Sequence, residues 1–125
     1  MLDINVNKLK ENLAHFTGTE AYYKWSVLSP SVLTDGTKYV AKELGAYWLF
    51  DVIASHIEHG EMPKLNMYFS KLAVDDGSAK LTIDDGNGKT LAQQEIDFTD
   101  FPLDSIDVWS QWDGSKWVHH LPSEY

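Results

Sequence analysis

The sequence contains no cysteine and no arginine, and it has no long uninterrupted hydrophobic run. Without cysteine, neither disulfides nor thiolate metal sites are available. A membrane-spanning helix needs about 18 or more apolar residues in succession, which this chain lacks. The N-terminal stretch MLDINVNKLK also lacks the apolar core of a signal peptide. We therefore expect a cytoplasmic protein that does not associate with membranes.

The absence of arginine shapes the expected partners. Ten lysines face 19 acidic residues, and the net charge is −9. Nucleic-acid binding relies on a cationic surface and often on the arginine fork, so we expect none. Residues 1–64 carry six lysines and eight acids, a balance of −2, whereas residues 65–125 carry four lysines and eleven acids, a balance of −7. This acidic half favours a protein partner with a basic surface.

Helical periodicity dominates the first half of the chain. The 125 residues match one domain spanning 1–125, and a hydrophobic fraction of 43% suffices for a core. Helices are predicted mainly within 5–60, because apolar residues recur there at helical spacing. The predicted helices are 5–16, 37–44 with Asp35 as its N-cap, and 46–59, which follows Gly45.

From residue 65 the hydrophobic period changes to two, which is typical of strands. Strands are predicted at 65–74, 80–84, 90–98, 106–112 and 116–121, with a short extra strand at 21–28. Asp-Gly and Asn-Gly pairs mark hairpin turns between them. The sequence thus predicts an α+β fold, with N-terminal helices packed on one face of an antiparallel meander sheet of about five strands, mainly within 65–121.

Six short segments occur in order along the chain: FTGTE at 16–20, TDG at 34–36, GAYWL at 45–49, DGNG at 85–88, FTDFPL at 98–103 and LPSEY at 121–125. In these segments the sequence resembles a family of small uncharacterised bacterial proteins, partly plasmid- or phage-associated, classed as a domain of unknown function. The resemblance spans nearly the whole chain and implies a full-length single-domain protein. It implies no activity, cofactor or catalytic residue.

The helix predicted at 46–59 carries the polar groups best placed for chemistry. Asp51, His56 and Glu58 are its catalytic candidates, because paired carboxylates and imidazole support acid–base chemistry. The alternative interpretation places Asp51 and Glu58 on a solvated stripe. On the helical wheel His56 falls among apolar residues, so we expect its side chain to be buried.

Metal binding is a second possibility for the same helix. His56, His59 and Glu61 are the candidate ligands, since imidazole and carboxylate suit zinc, iron or manganese. His15, His119 and His120 are further histidines that a fold can bring to such a site. The His-Glu-x-x-His motif is absent. We therefore expect no metal site and no cofactor, with His59 interacting with the helix dipole instead.

Three tryptophans lie in the last predicted hairpin. Trp112 and Trp117 are expected to form a cross-strand pair over the turn at 113–116. With Trp109 they either pack in the core or form an exposed patch for a partner, because tryptophan concentrates at interfaces. The hairpin is also expected to offer an edge strand, and unpaired edges favour self-association, so we expect a homodimer.

These features favour a small acidic protein that acts as a non-catalytic protein-interaction module. A specific variant is an accessory protein of mobile elements that occupies a basic surface on a host protein. The alternative is a metal-assisted hydrolase that uses the histidines of the central helix.

Overall fold

The computed structural model describes residues 5–27 and 29–125. Along this part of the chain lie three α-helices, six β-strands and a short 3-10 helix, so the predicted α+β class is confirmed. The helices are α1 (Val6–Ala14), α2 (Asp35–Glu43), α3 (Tyr47–His59) and the 3-10 helix Pro122–Glu124. The strands are β1 (Val32–Leu33), β2 (Met67–Asp75), β3 (Ser78–Asp84), β4 (Thr90–Ile96), β5 (Ser105–Trp112) and β6 (Trp117–His120).

Helix α2 begins two residues earlier than predicted, and its N-cap is Thr34 rather than Asp35. The Thr34 hydroxyl accepts a hydrogen bond from the backbone N–H of Thr37, and the Thr37 hydroxyl accepts one from the N–H of Thr34. This reciprocal capping box satisfies two donors at once. Asp35 is therefore the first helical residue, and its carboxylate is available to other partners.

The junction between α2 and α3 follows the prediction. Gly45 has a φ of 64°, the left-handed conformation that ends a helix without a steric penalty only at glycine. Helix α3 then runs from Tyr47 to His59 without interruption. No helix within the described residues 5–27 and 29–125 is long and apolar enough to cross a membrane.

The strands form one six-stranded mixed sheet rather than an antiparallel five-stranded meander. The order is β1-β6-β5-β2-β3-β4, so β5 returns beside β2 in a Greek-key arrangement. The connection at 97–104 makes this crossing, and the N–H of Thr99 donates to the carbonyl of Gly77 within it. Phe101 and Leu103 of the same connection are buried in the core. Alternating hydrophobic residues predict each strand, but the burial of Phe101 and Leu103 decides which strands become neighbours.

Strand β1 makes the sheet mixed, because it pairs in parallel with β6, with Val32 opposite Val118 and Leu33 opposite His119. The expectation that the last hairpin forms an edge of the sheet is therefore wrong. At the other side of the sheet, β4 is the edge strand. Two residues are too few for a periodic hydrophobic pattern, which is why the sequence did not reveal β1.

The strand predicted at 21–28 is reduced to a single bridge between Tyr23 and Leu33. Both backbone hydrogen bonds of this bridge are 2.8 Å long. The last residue of the predicted strand, Leu28, and residues 1–4 of the N-terminal stretch lie outside the described part. The segment thus pairs with the sheet through this one backbone bridge, and the rest of its described backbone is irregular.

Helices α2 and α3 pack on one face of the sheet, whereas Asn12 of α1 contacts Tyr39 of α2, and the described α-helices leave the other face uncovered. We call the uncovered side the open face. Because strand residues alternate between faces, the register places Phe69, Trp109 and His120 together on it. The core lies on the helix side and includes Leu33, Val40, Leu49, Phe50, Ile53, Leu72, Leu81, Ile83 and Val108.

The connection at 97–104 provides a matched pair of phenylalanines for testing the fold. Phe101 is 5% exposed and Phe98 is 91% exposed. Phe101→Ala should destabilise the protein by about 3–5 kcal/mol through lost burial and a residual cavity, whereas Phe98→Ala should change stability by less than about 0.5 kcal/mol. Urea denaturation followed by tryptophan fluorescence measures both. Equal effects of the two substitutions would contradict the burial of Phe101 in this connection.

Candidate functional site

Glu124 fixes the end of the chain to the start of α2. Its Oε1 accepts hydrogen bonds from the Thr34 hydroxyl at 2.7 Å and from the Leu121 N–H at 2.9 Å. Its Oε2 accepts the Gly36 N–H at 2.9 Å. Helix N-termini carry free N–H groups and a positive dipole end, so a carboxylate is favoured there. Glycine at position 36 allows this close approach, because a Cβ there would collide with the Glu124 carboxylate unless that side chain moved.

Asp35 attaches a second segment to the same helix end. Its carboxylate accepts the Glu20 N–H at 2.8 Å and the Tyr23 hydroxyl at 2.9 Å, and its own N–H donates to the Thr19 hydroxyl at 2.8 Å. These bonds, with that from Glu20 first, lower the pKa of Asp35. The same carboxylate raises the pKa of Tyr23, since the phenol donates to it. The segment around residues 19–23 is thus held against the start of α2.

A cleft of about 460 Å³ lies where these segments meet the strands β5 and β6. Two acidic side chains, Asp113 and Glu124, contribute to its lining, and so does His120. Among the described residues that line it there is no lysine. Its other walls are Thr19, Tyr22, Thr34, Gln111, Val118 and Tyr125.

Aromatic rings join the cleft to the open face. The Tyr125 ring stacks on the imidazole of His120, with centroids 5.9 Å apart and an interplanar angle of 24°. Trp109 meets both rings edge-on, at 6.2 Å from His120 and 5.5 Å from Tyr125. Phe69 continues the series 5.2 Å from Trp109. Aromatic pairs prefer such offset and edge-to-face geometries.

His120 is the titratable group of the cleft whose hydrogen bonding is incomplete. Its side chain is 5% exposed, and Nδ1 lies 2.8 Å from the Leu121 carbonyl. A carbonyl only accepts, so Nδ1 carries the proton in the neutral ring and Nε2 presents a lone pair. Within the described part of the chain, the buried Nε2 atom has no hydrogen-bond partner.

His119, the neighbouring residue, points to the helix side and is completely buried. Its Nδ1 lies 2.7 Å from the hydroxyl of Ser110. Burial lowers the pKa of His119 to about 3, with a further contribution from the charge of His120. Ser110 and His119 are both 0% exposed, so this serine–histidine pair has no open side for a substrate and stabilises the core.

Asp113 carries a firmly ionised carboxylate at the turn between β5 and β6. Its Oδ1 accepts the N–H groups of Ser115 and Lys116 at 2.9 and 2.8 Å. Its Oδ2 lies 3.0 Å from the Lys116 ammonium. The Ser115 N–H and then Lys116 hold the pKa of Asp113 well below its usual range. Asp113 therefore stays ionised at the rim of the cleft, where it forms an ion pair with Lys116.

The sequence model of a family of unknown function, DUF6876, matches residues 7–125 of this chain. The chain belongs to that family. The resemblance inferred from the six short segments is thereby confirmed. The residues that form the cleft all lie within the matched range of the family.

Among curated proteins, no sequence matches the chain. One solved structure is similar, the crystal structure of a protein of unknown function from Enterococcus faecalis. The two have a TM-score of 0.55 and 17% sequence identity, over 80% of this chain and 93% of the other. At that identity the likeness shows a shared fold alone.

The candidate catalytic residues of α3 each have a partner outside the helix. The Trp25 indole donates to Asp51 at 2.8 Å, and the Ser29 hydroxyl donates to Glu58 at 3.1 Å. His56 is half-buried rather than buried, and its Nε2 lies 2.8 Å from the side-chain oxygen of Gln94. His56 faces β4, which is the edge strand of the sheet. The sheet therefore covers the imidazole from one side only.

The remaining candidate ligands do not gather around a common point. His59 and Glu61 are exposed near the end of α3, and His15 is exposed at the end of α1. Within residues 5–27 and 29–125, no three His, Asp or Glu side chains are grouped so that they could hold a metal ion. The six candidate positions are thus spread over several elements.

The three tryptophans lie on two different faces of the hairpin. Trp112 and Trp117 form the predicted cross-strand pair, with ring centroids 5.6 Å apart. They are on the helix side, where Trp117 also packs against Tyr68 at 5.3 Å. Trp109 is on the open face. The tryptophans of the hairpin are therefore partly packed and partly exposed, because Trp112 remains 38% exposed.

Sequence reasoning did not select the residues that form the cleft, other than His120. Thr19, Thr34, Gln111, Glu124 and Tyr125 belong to segments far apart in the chain. The segments FTGTE, TDG and LPSEY, which carried the family resemblance, supply four of the five. The presence of these three segments in one chain was the signal that the sequence offered for the cleft, but only the fold shows that they meet.

The carboxylate of Glu124 can be tested by removing one acceptor. Glu124→Gln should destabilise the protein by about 1–3 kcal/mol, because its amide nitrogen cannot accept the hydrogen bonds that the carboxylate accepts. Glu95→Gln, on exposed β4, is the control and should have little effect. Thermal unfolding followed by circular dichroism compares them. Equal stability of both variants would show that the contact at α2 contributes little.

His119 predicts a pH dependence of stability. An unperturbed histidine has a pKa of 6.5, whereas the pKa of His119 in the folded protein is about 3, so the unfolded state binds more protons as the pH falls below about 6.5. The contribution of His119 to the free energy of unfolding is fully present above that pH and is lost as the pH falls. The free energy of unfolding should fall by about 2 kcal/mol between pH 7 and pH 5.

Urea titrations at the two pH values measure this loss. His119→Gln should flatten the pH dependence, whereas His59→Gln, at an exposed position, should leave it unchanged. A wild-type protein equally stable at pH 7 and pH 5 would contradict a buried neutral His119.

Proposed function

We propose that this protein is a non-catalytic interaction module that binds a protein partner with a basic surface through the open face of its sheet. The observation that carries the proposal is the acidic, aromatic cleft on the side that the helices leave uncovered. A preformed concave site with aromatic walls and convergent polar groups is the usual form of a binding site.

Charge supports this choice of partner. The net charge is −9, and residues 65–125, which supply five of the six strands, account for −7 of it. Asp113 and Glu124 bring two of these charges to the cleft. A surface with this field attracts a basic partner and repels phosphate-bearing ones.

Exposed aromatic side chains supply the contact area. Tyr22 and Tyr125 are 58% and 72% exposed and stand on the walls of the cleft. Trp109 supports Tyr125 from below. Tyrosine and tryptophan are enriched among the residues that contribute most to interface affinity. Trp112 and Trp117 lie on the helix side, so we give them a role in packing the hairpin rather than in binding the partner.

The two more specific roles, in mobile elements and as a homodimer, have fewer observations behind them. The role as an accessory protein of mobile elements depends on the sequence resemblance, and homodimer formation would now use the edge strand β4. In the described part of the chain no contact favours the metal-assisted hydrolase, since Asp51, His56 and Glu58 are engaged with Trp25, Gln94 and Ser29. The interaction module is therefore the function that we propose.

Affinity capture with matched variants tests the proposal. Tagged wild-type protein should retain a basic protein from a bacterial lysate, less so at high salt, because screening weakens the attraction. Tyr22→Ala should abolish retention, whereas Phe98→Ala, an exposed aromatic beyond β4, should not. Retention that is absent, or that is the same with Tyr22→Ala as with wild type, would rule out binding through the open face.

A further inference from the structure

His120 gives the cleft a chemical preference that its shape alone does not define. The lone pair of its buried Nε2 has no donor among the described residues. A buried polar atom without a partner costs free energy, and such atoms are rare in folded proteins. A ligand that satisfies Nε2 must present an N–H or O–H donor.

The other groups of the cleft select the charge of that donor. Asp113 and Glu124 are the carboxylates of its lining; Lys116 pairs with Asp113 at 3.0 Å but does not itself line the cleft, and Glu124 has no ion pair among the described residues. Tyr22 and Tyr125 present aromatic rings, whose faces attract cations. An anionic ligand would be repelled by the same groups. The cleft therefore combines an acceptor lone pair, negative charge and aromatic walls.

We infer that the cleft binds a protonated nitrogen with N–H donors, the guanidinium or ammonium group of a basic side chain on the partner. This inference rests on the proposed function and specifies the group that the partner inserts. The cation donates to Nε2 of His120 and lies between the carboxylates of Asp113 and Glu124. Tyr125, which now stacks on the imidazole, leaves its position to admit the group and then covers it.

Titration of the ¹⁵N-labelled full chain with a blocked pentapeptide, Gly-Gly-Arg-Gly-Gly, tests the inference. Saturable shifts should appear at the amides of Gln111 and Val118 and at Nε2 of His120. Tetramethylammonium has the same charge but no N–H group, so it should bind at least about tenfold more weakly. Equal binding of the two cations, or no saturable shift with the peptide, would overturn the inference.

Agmatine, a free small guanidinium compound, distinguishes the source of the cation. Binding of the peptide together with agmatine supports a side chain on a partner. Saturation by agmatine without binding of the peptide would overturn the assignment to a partner, because the backbone flanking the side chain would not fit.

Substitutions test the acceptor and the charge separately. His120→Asn keeps a donor for the Leu121 carbonyl but has no counterpart of Nε2, so peptide affinity should fall about tenfold. Asp113→Asn keeps the turn acceptor and removes one charge, and it should weaken binding severalfold. Asp107→Asn, on the open face outside the cleft, makes the same charge change and should have no effect. Unchanged peptide affinity in Asp113→Asn and in folded His120→Asn would refute the inference.

The two proposals fail in different ways. If the peptide does not bind but capture of a basic protein still depends on Tyr22, the inference is wrong and the proposed function stands. If the peptide binds as expected but no protein is captured through Tyr22, the cleft recognises the cation and the proposed partner is wrong.

Discussion

The carboxylate of Glu124 is the interaction on which the geometry of the cleft depends. It joins residues about 90 positions apart, because it accepts hydrogen bonds from Thr34 and Gly36 at the start of α2. The N-terminus of a helix leaves N–H groups that the helix cannot satisfy, and a carboxylate meets that need with a favourable charge. With Glu124 in place, Leu121 enters the core and Tyr125 lies over the open face.

The adjacent histidines show how a strand gives neighbours opposite roles. Successive side chains of β6 point to opposite faces. His119 therefore packs among Trp25 and Phe50 on the helix side, where burial keeps it neutral. His120 instead lines the cleft, and its Nε2, like that of His119, has no hydrogen-bond partner among the described residues. The core position stabilises the fold, and the cleft position leaves a polar group beside open space.

Helix α3 contributes its polar groups to structure. Asp51 and Glu58 receive hydrogen bonds from Trp25 and Ser29, so they hold the segment that precedes β1 against the helix. The same segment carries Tyr22 to the cleft. A carboxylate stripe that looks suited to acid–base chemistry on a helical wheel thus acts as an attachment surface, and this attachment helps to position the walls of the cleft.

Hydrophobic periodicity by itself determined the α+β class, the helix at Tyr47–His59 and the approximate limits of β2 to β6, because each element is patterned by the environment of its own side chains. The Trp112–Trp117 pair followed from turn length in the same way. Only the tertiary structure decided the Greek-key order, the parallel strand β1 and the cleft of Thr19, Glu124 and His120. Those features arise from contacts between distant segments, and a local pattern carries no information about which distant segment satisfies a helix end or covers a strand.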